Sequence, residues 1–161
     1  MITHPIAPVF DGNSKILILG SFPSVKSREQ MFFYGHPKNR FWKVLASVFD
    51  DTLPLTVNEK RAFLLKHGVA VWDVIASCDI IGSADSSIRN AKPNDIEIIL
   101  SAADIKAIFV NGKTAEKYYN KYLKEKVHRE AILLPSTSPA NAKLTLEDLA
   151  NLWEKKIIIY K

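Results

Sequence analysis

The residues of this chain that could do chemistry are gathered in a few short stretches. The richest is Met31-Phe32-Phe33-Tyr34-Gly35-His36-Pro37-Lys38-Asn39-Arg40-Phe41-Trp42, where aromatics, a glycine and a proline precede a helical pattern. Aromatic faces set among cations suit the stacking of a nucleic-acid base and the contacting of phosphates. Such a loop would display Phe33 and Tyr34 beside Lys38, Asn39 and Arg40. A plainer reading makes Asn39 a helix N-cap and buries Phe41 and Trp42 in the core. Nucleophilic chemistry has candidates as well, since Ser136 or Ser138, His36 and Asp73 are the residue types of a hydrolytic triad. However, Gly20-Ser21-Phe22-Pro23-Ser24 puts Phe22 and Ser24 where a Gly-x-Ser-x-Gly elbow needs its serine and second glycine. Asn111-Gly112-Lys113-Thr114 looks like the end of a phosphate-binding loop, but the glycine required five residues earlier is Ala107. A tight turn into a helix is the better account, though such a helix start could still hold one phosphate. His4, His36, His67 and His128 show no metal-ligand spacing, so a metal is not expected.

Composition narrows the classes further. The 161 residues are 47% hydrophobic and 24% charged, as expected of one globular domain over 1–161. Apolar runs such as Ile16-Leu17-Ile18-Leu19 stop far short of the ~20 residues a membrane span requires. The single cysteine, Cys78, excludes an internal disulfide, a Cys-x-x-Cys pair and a four-cysteine zinc site. With no signal-like pattern over Met1–Val9, a lone thiol suits the reducing cytoplasm. The net charge of +5 is permissive for a polyanionic partner. Nothing in the sequence demands more than a monomer.

These residues must be positioned by regular elements. Near-continuous apolar runs predict strands over Lys15–Leu19, Val69–Val74, Ala107–Val110, Ala131–Leu134 and Ile157–Tyr160. Amphipathic patterns between them predict helices over Arg40–Phe49, Asn58–His67, Thr114–Lys124 and Leu146–Lys155. Thr56 with Glu59, and Thr145 with Asp148, have the spacing of capping boxes. Alternation of this kind predicts an α/β fold, with an open, mostly parallel sheet flanked by helices on both faces. In such sheets ligands sit beyond the carboxyl ends of the strands. The segments there are Gly20–Ser24, Asp73, Asn111–Lys113 and Pro135–Pro139, which should converge on one crevice.

At this point a family resemblance emerges. His36-Pro37-Lys38-Asn39-Arg40-Phe41-Trp42 resembles the His-Pro-x-Asn-Arg-Phe-Trp signature of the uracil-DNA glycosylase superfamily, in its mismatch-specific and hypoxanthine-DNA glycosylase branches. Leu19–Ser24 is similar to the first active-site loop of the hypoxanthine branch, Val71–Ile75 and Gly82–Ile88 to its middle, and Leu134–Asn141 to its second loop. The resemblance implies a monofunctional DNA glycosylase of base-excision repair, without cofactor, that cuts the N-glycosidic bond of a deaminated base, deoxyinosine foremost, after extruding it from the duplex. It implies Tyr34 as the aromatic that stacks on that base. Phe22 stands where many members carry a water-positioning Asn or Asp, and Asn39 takes over that role. Since an amide is no base at pH 7, Asn39 would orient water through its carbonyl oxygen while the base departs as an anion. Donors aimed at that anion would be backbone amides of Gly20, Ser21 and Phe22 and groups of Ser136–Ser138. Asp73 would accept the ring N–H of hypoxanthine, or else only cap a nearby turn. Contacts to the DNA backbone are expected from Lys38, Arg40, Lys113, Asn141 and Lys143. A Schiff base on Lys38 does not accord with the resemblance. Where relatives insert an apolar wedge, this chain has Ala140-Asn141. The alternatives are a uracil- or mismatch-directed glycosylase on the same fold, a non-catalytic module binding damaged DNA, and an unrelated hydrolase using Ser136.

Overall fold

A computed structural model describes residues 1–161. In chain order the elements are β1 (Ile2–Thr3), β2 (Ile16–Gly20), α1 (Val25–Gln30), α2 (Phe41–Val48), α3 (Val57–Lys66), β3 (Val69–Asp73), β4 (Ile75–Asp79), β5 (Arg89–Pro93), α4 (Glu97–Leu100), β6 (Ala107–Asn111), α5 (Lys113–Tyr122), α6 (Lys124–Val127), β7 (Ala131–Leu134) and α7 (Leu146–Ile157). Four of the five expected apolar runs form one parallel sheet in the order β3-β2-β6-β7. Its two central strands are buried on both faces, as an all-parallel sheet requires.

The crossover from β2 to β3 runs one way along the sheet and that from β6 to β7 runs the other. Right-handed crossovers therefore put α2 and α3 on one face and α5 on the other. Helix α7 packs on α2 and completes the first layer. The direction reverses between β2 and β6, so their carboxyl ends part there and leave a crevice. Both expected capping boxes are present, with Thr56 accepting from the Glu59 amide and Thr145 from the Asp148 amide. One continuous buried cluster joins sheet and helices, and no helix is long and apolar enough to cross a membrane.

Two features differ from the sequence reading. Ile157–Tyr160 is not a strand: Ile157 ends α7 and Ile158–Tyr160 form a 3-10 turn. Leu149, Trp153 and Ile157 recur every four residues and are all fully buried, whereas Ile158 and Ile159 are exposed. Burial of one helical stripe outweighs the modest helix cost of β-branched residues. The second difference is an additional antiparallel sheet, β1-β4-β5. The chain leaves the large sheet at Val74 and enters the small one at Ile75, with irregular register between β4 and β5. Strand β5, Arg-Asn-Ala-Lys-Pro, carries no apolar run from which it could be read.

Candidate active site

At the carboxyl ends of the parallel strands lies a crevice of about 600 Å³. Gly20, Ser21, Phe22, Tyr34, Asn39, Asp73, Ser136 and Ser138 all line it, as expected from the sequence. Lys38, Arg40, Lys113, Asn141 and Lys143 do not.

Asn39 sits in the turn before α2. Its Oδ1 accepts from the Phe41 amide at 3.0 Å and from the Thr137 hydroxyl at 2.9 Å. An amide N–H can only donate, so the Asn39 atom facing it is the oxygen, and Nδ2 is left without a protein acceptor. Both lone pairs of Oδ1 are thus engaged within the protein, and the group free for a ligand is the NH₂. That differs from a water-orienting carbonyl. Thr137 is itself clamped: its amide donates to Asn111 Oδ1 at 3.1 Å and its hydroxyl accepts from Asn111 Nδ2 at 3.0 Å. Asn111 ends β6, so the sheet holds Thr137 and Thr137 holds Asn39. The sequence places Asn111 and Thr137 in segments expected at the crevice, but not their pairing, which spans 26 residues and belongs to no local motif.

The first loop follows β2. The carbonyls of Gly20 and Ser21 accept from the Val74 and Ile75 amides, while the Ser21 and Phe22 amides donate to no protein acceptor. Gly20 is required by close approach, since a Cβ there would collide with Asp73 Oδ1 and lie 3.0 Å from the Tyr34 hydroxyl. Gly112 serves the second loop similarly: its φ is +95°, and a Cβ would meet the Ser136 Cβ at 3.0 Å.

Asp73 is buried, and its Oδ2 is 2.7 Å from His4 Nε2. The Ile6 amide donates to His4 Nδ1 at 3.1 Å, so the imidazole proton is on Nε2 and is donated to Asp73. Packed edge-on to Phe22 and Trp72, this histidine fixes the carboxylate and turns Oδ1 toward Gly20. A lone histidine, 69 residues from its partner, carries no signal of this role. Asp85, in the Gly82–Ile88 stretch, accepts from the Ser21 hydroxyl at 3.1 Å at the crevice mouth. Protein packed round that mouth pushes its carboxyl upward, opposed by the Ser21 and Thr114 hydroxyls and reinforced by the charge of Asp73.

Tyr34 stacks on Phe41 with ring centroids 3.9 Å apart and 19° between planes. Its φ of +52° is unusual for a non-glycine residue, and its buried hydroxyl has no hydrogen-bond partner. Burial, with the nearby Asp73 charge adding, holds the phenol well above its ordinary range. Phe33 is only 2% exposed, packed in the core beside Phe32, and reaches the crevice as part of its wall and not as a displayed ring.

The second loop is braced from outside. Arg40 donates to the carbonyls of Leu144, Ser138 and Asn141, and Asn141 Nδ2 to the Ser136 carbonyl. Trp153 of α7 donates to the Pro135 carbonyl at 2.9 Å. The guanidinium expected on a phosphate is thus occupied in folding the loop. Lys38, Lys113 and Lys143 are exposed.

Comparison with known proteins agrees with this arrangement. The family model for the uracil DNA glycosylase superfamily matches residues 7–158. A Methanosarcina acetivorans protein named hypoxanthine DNA glycosylase is 33% identical over 156 residues, covering 96% of this chain and 97% of its own. Another of that name, from Methanosarcina barkeri, is 34% identical over 138 residues, covering 84% and 86%. The solution NMR structure of a Methanosarcina acetivorans protein described as a uracil DNA glycosylase superposes with a TM-score of 0.79 at 28% identity, over 96% of this chain and 98% of that one. With a crevice at the strand ends, the motif-bearing loops around it and a family match along nearly its whole length, the chain belongs to the uracil DNA glycosylase superfamily.

Proposed function

We propose that this protein is a monofunctional DNA glycosylase that hydrolyses the N-glycosidic bond of deoxyinosine. The observation that carries this reading is the chain of hydrogen bonds from Asn111 through Thr137 to Asn39, which fixes one side-chain amide at the crevice. Beside it are the two unpaired amides of the first loop. The names of the two Methanosarcina relatives support the choice of hypoxanthine.

The chemistry follows from what these groups can do. Asn39 is an amide and cannot deprotonate water, so with Asn39 as the water-positioning group bond cleavage must run ahead of attack. The base departs as an anion, accepting hydrogen bonds from the Ser21 and Phe22 amides, and the sugar becomes oxocarbenium-like. Asn39 donates through Nδ2 to the oxygen of a water, leaving that water a free lone pair for the sugar carbon. The proton lost by the water passes to the departed base anion. Asp73, with Oδ2 held by His4, offers Oδ1 to a ring N–H of the base. Tyr34, backed by Phe41, supplies an aromatic wall to the extruded base.

The test is cleavage of end-labelled oligonucleotides containing one deoxyinosine or one deoxyuridine, with alkali added to reveal abasic sites. Wild type should give alkali-dependent breaks at inosine, and Asn39→Ala should lose most of that rate while still binding the DNA. Breaks chiefly at uracil would transfer the activity to the alternative substrate, the reading favoured by the description of the superposed structure. Retained binding without any break would make the protein a damaged-DNA-binding module.

A further inference from the structure

Beyond the crevice, a second cleft of about 340 Å³ runs along α5. Asp85 and Ser86 line both spaces, so the cleft opens from the mouth of the site. Tyr118 and Tyr122 line it, their rings parallel and their centroids 6.1 Å apart. An ammonium stands over each ring, Lys117 Nζ at 5.3 Å from the Tyr118 centroid and Lys121 Nζ at 5.1 Å from that of Tyr122. The ion pair of the α5–α6 segment is Lys124 with Glu130, which leaves Lys117 and Lys121 without a carboxylate partner. Arg89 of β5 also lines the cleft; one of its nitrogens donates to the Ser86 and Ile88 carbonyls and the rest of the fork is free. The opposing charges are Asp85 at the junction and Glu116 on α5.

Lys113, Lys117 and Lys121 recur every four residues and so follow one face of the helix. Eight residues of helix rise about 12 Å. Measured along the duplex axis, that matches roughly three to four nucleotide steps at ~3.4 Å of rise each. Rings that hold the two ammonium groups over the cleft reduce the entropy lost when those groups meet a phosphate.

We propose that this cleft carries the phosphodiester backbone of the DNA strand on one side of the extruded nucleotide, extending the footprint three to four nucleotides past the crevice along α5. The proposal rests on the glycosylase reading for the identity of the polyanion. Its geometry stands on residues that reading does not use.

The experiment is a binding titration, by fluorescence anisotropy, of wild type, Lys117→Ala/Lys121→Ala and a control, Lys155→Ala/Lys156→Ala, whose lysines are also exposed, on α7. The probe is a duplex with an uncleavable abasic analogue at its centre, used full-length and shortened from either end. The cleft variant should bind the full-length duplex about tenfold more weakly, with a salt slope shallower by about 1.8 for two lost phosphate contacts. The control should match wild type. Shortening from one end should weaken wild type and leave the cleft variant unaffected. Equal losses in both double variants would reduce the effect to net charge and overturn the proposal, as would a wild type indifferent to shortening at both ends. Cleavage of inosine is measured in parallel. A cleft effect without cleavage sinks the glycosylase reading alone, cleavage without a cleft effect sinks the cleft alone, and a wild type that neither binds the duplex nor cleaves inosine sinks both.

Discussion

Thr137 is fully buried although it is polar, and its hydroxyl is spent in both directions, accepting from Asn111 and donating to Asn39. Replacing it by valine keeps the shape and removes the hydroxyl. Asn111 Nδ2, half-buried at the crevice wall, then loses its acceptor, at a cost toward the lower end of the ~1–3 kcal/mol of an unsatisfied buried donor. Asn39 retains only the Phe41 amide and is free to turn. Thr137→Val should therefore lose a similar amount of stability in urea unfolding. Its single-turnover cleavage of inosine DNA should fall at least tenfold while DNA affinity is unchanged, and Thr137→Ser should restore both. An unimpaired Thr137→Val enzyme would show that the position of Asn39 does not depend on this clamp. The same side-chain accounting makes Asp73 a fixed group: His4 holds one oxygen, Gly20 is pressed against the other, and neither neighbour can be enlarged or removed without moving the carboxylate.

Among the elements, the second loop depends most on side chains from elsewhere. Three carbonyls of the 138–144 segment converge on Arg40, the residue before α2, so the helix start and the loop move as one piece. Arg40→Ala should reduce cleavage strongly, and Arg40→Lys should not rescue it, because one ammonium cannot reproduce the planar fork. The salt slope of DNA binding should stay as in wild type, whereas a lost phosphate contact would lower it by about 0.9. Helix α5 makes a separate prediction at alkaline pH. Tyr119 is buried under it, donates to the Arg129 carbonyl at 2.7 Å, and burial pushes its phenol from an ordinary 10.0 up to about 12. Above pH 10 the folded protein keeps a proton that the unfolded chain releases, so stability falls as pH rises from 10 to about 12. Denaturation at successive pH values should show this component in wild type and lack it in Tyr119→Phe.

Taken whole, the molecule was legible where its physics is local. Four strands were readable because strands covered on both faces carry unbroken apolar runs, and two helix starts because a capping box lies within four residues. Eight crevice residues could be named because strand ends in a parallel sheet share one edge. The small sheet was not legible: β5 is polar and exposed, and β4 alternates irregularly. Nor were the anchoring role of His4, the clamp made by Asn111 and the brace made by Arg40, which exist only through partners 26 to 104 residues away. That small sheet gives the molecule a built-in reporter. Cys78 lies in β4 opposite Ile2 of β1, is fully buried, and burial pushes its thiol upward, so a thiol reagent can reach it only when the strands part. The chain passes directly from β1 into His4, whose amide donates to the Ala76 carbonyl and whose ring holds Asp73. The rate of thiol capture therefore measures how often the carboxylate loses its anchor. It should slow when lesion-analogue DNA fills the crevice and rise at least tenfold in His4→Ala; a rate indifferent to both would mean that the sheet opens independently of the site.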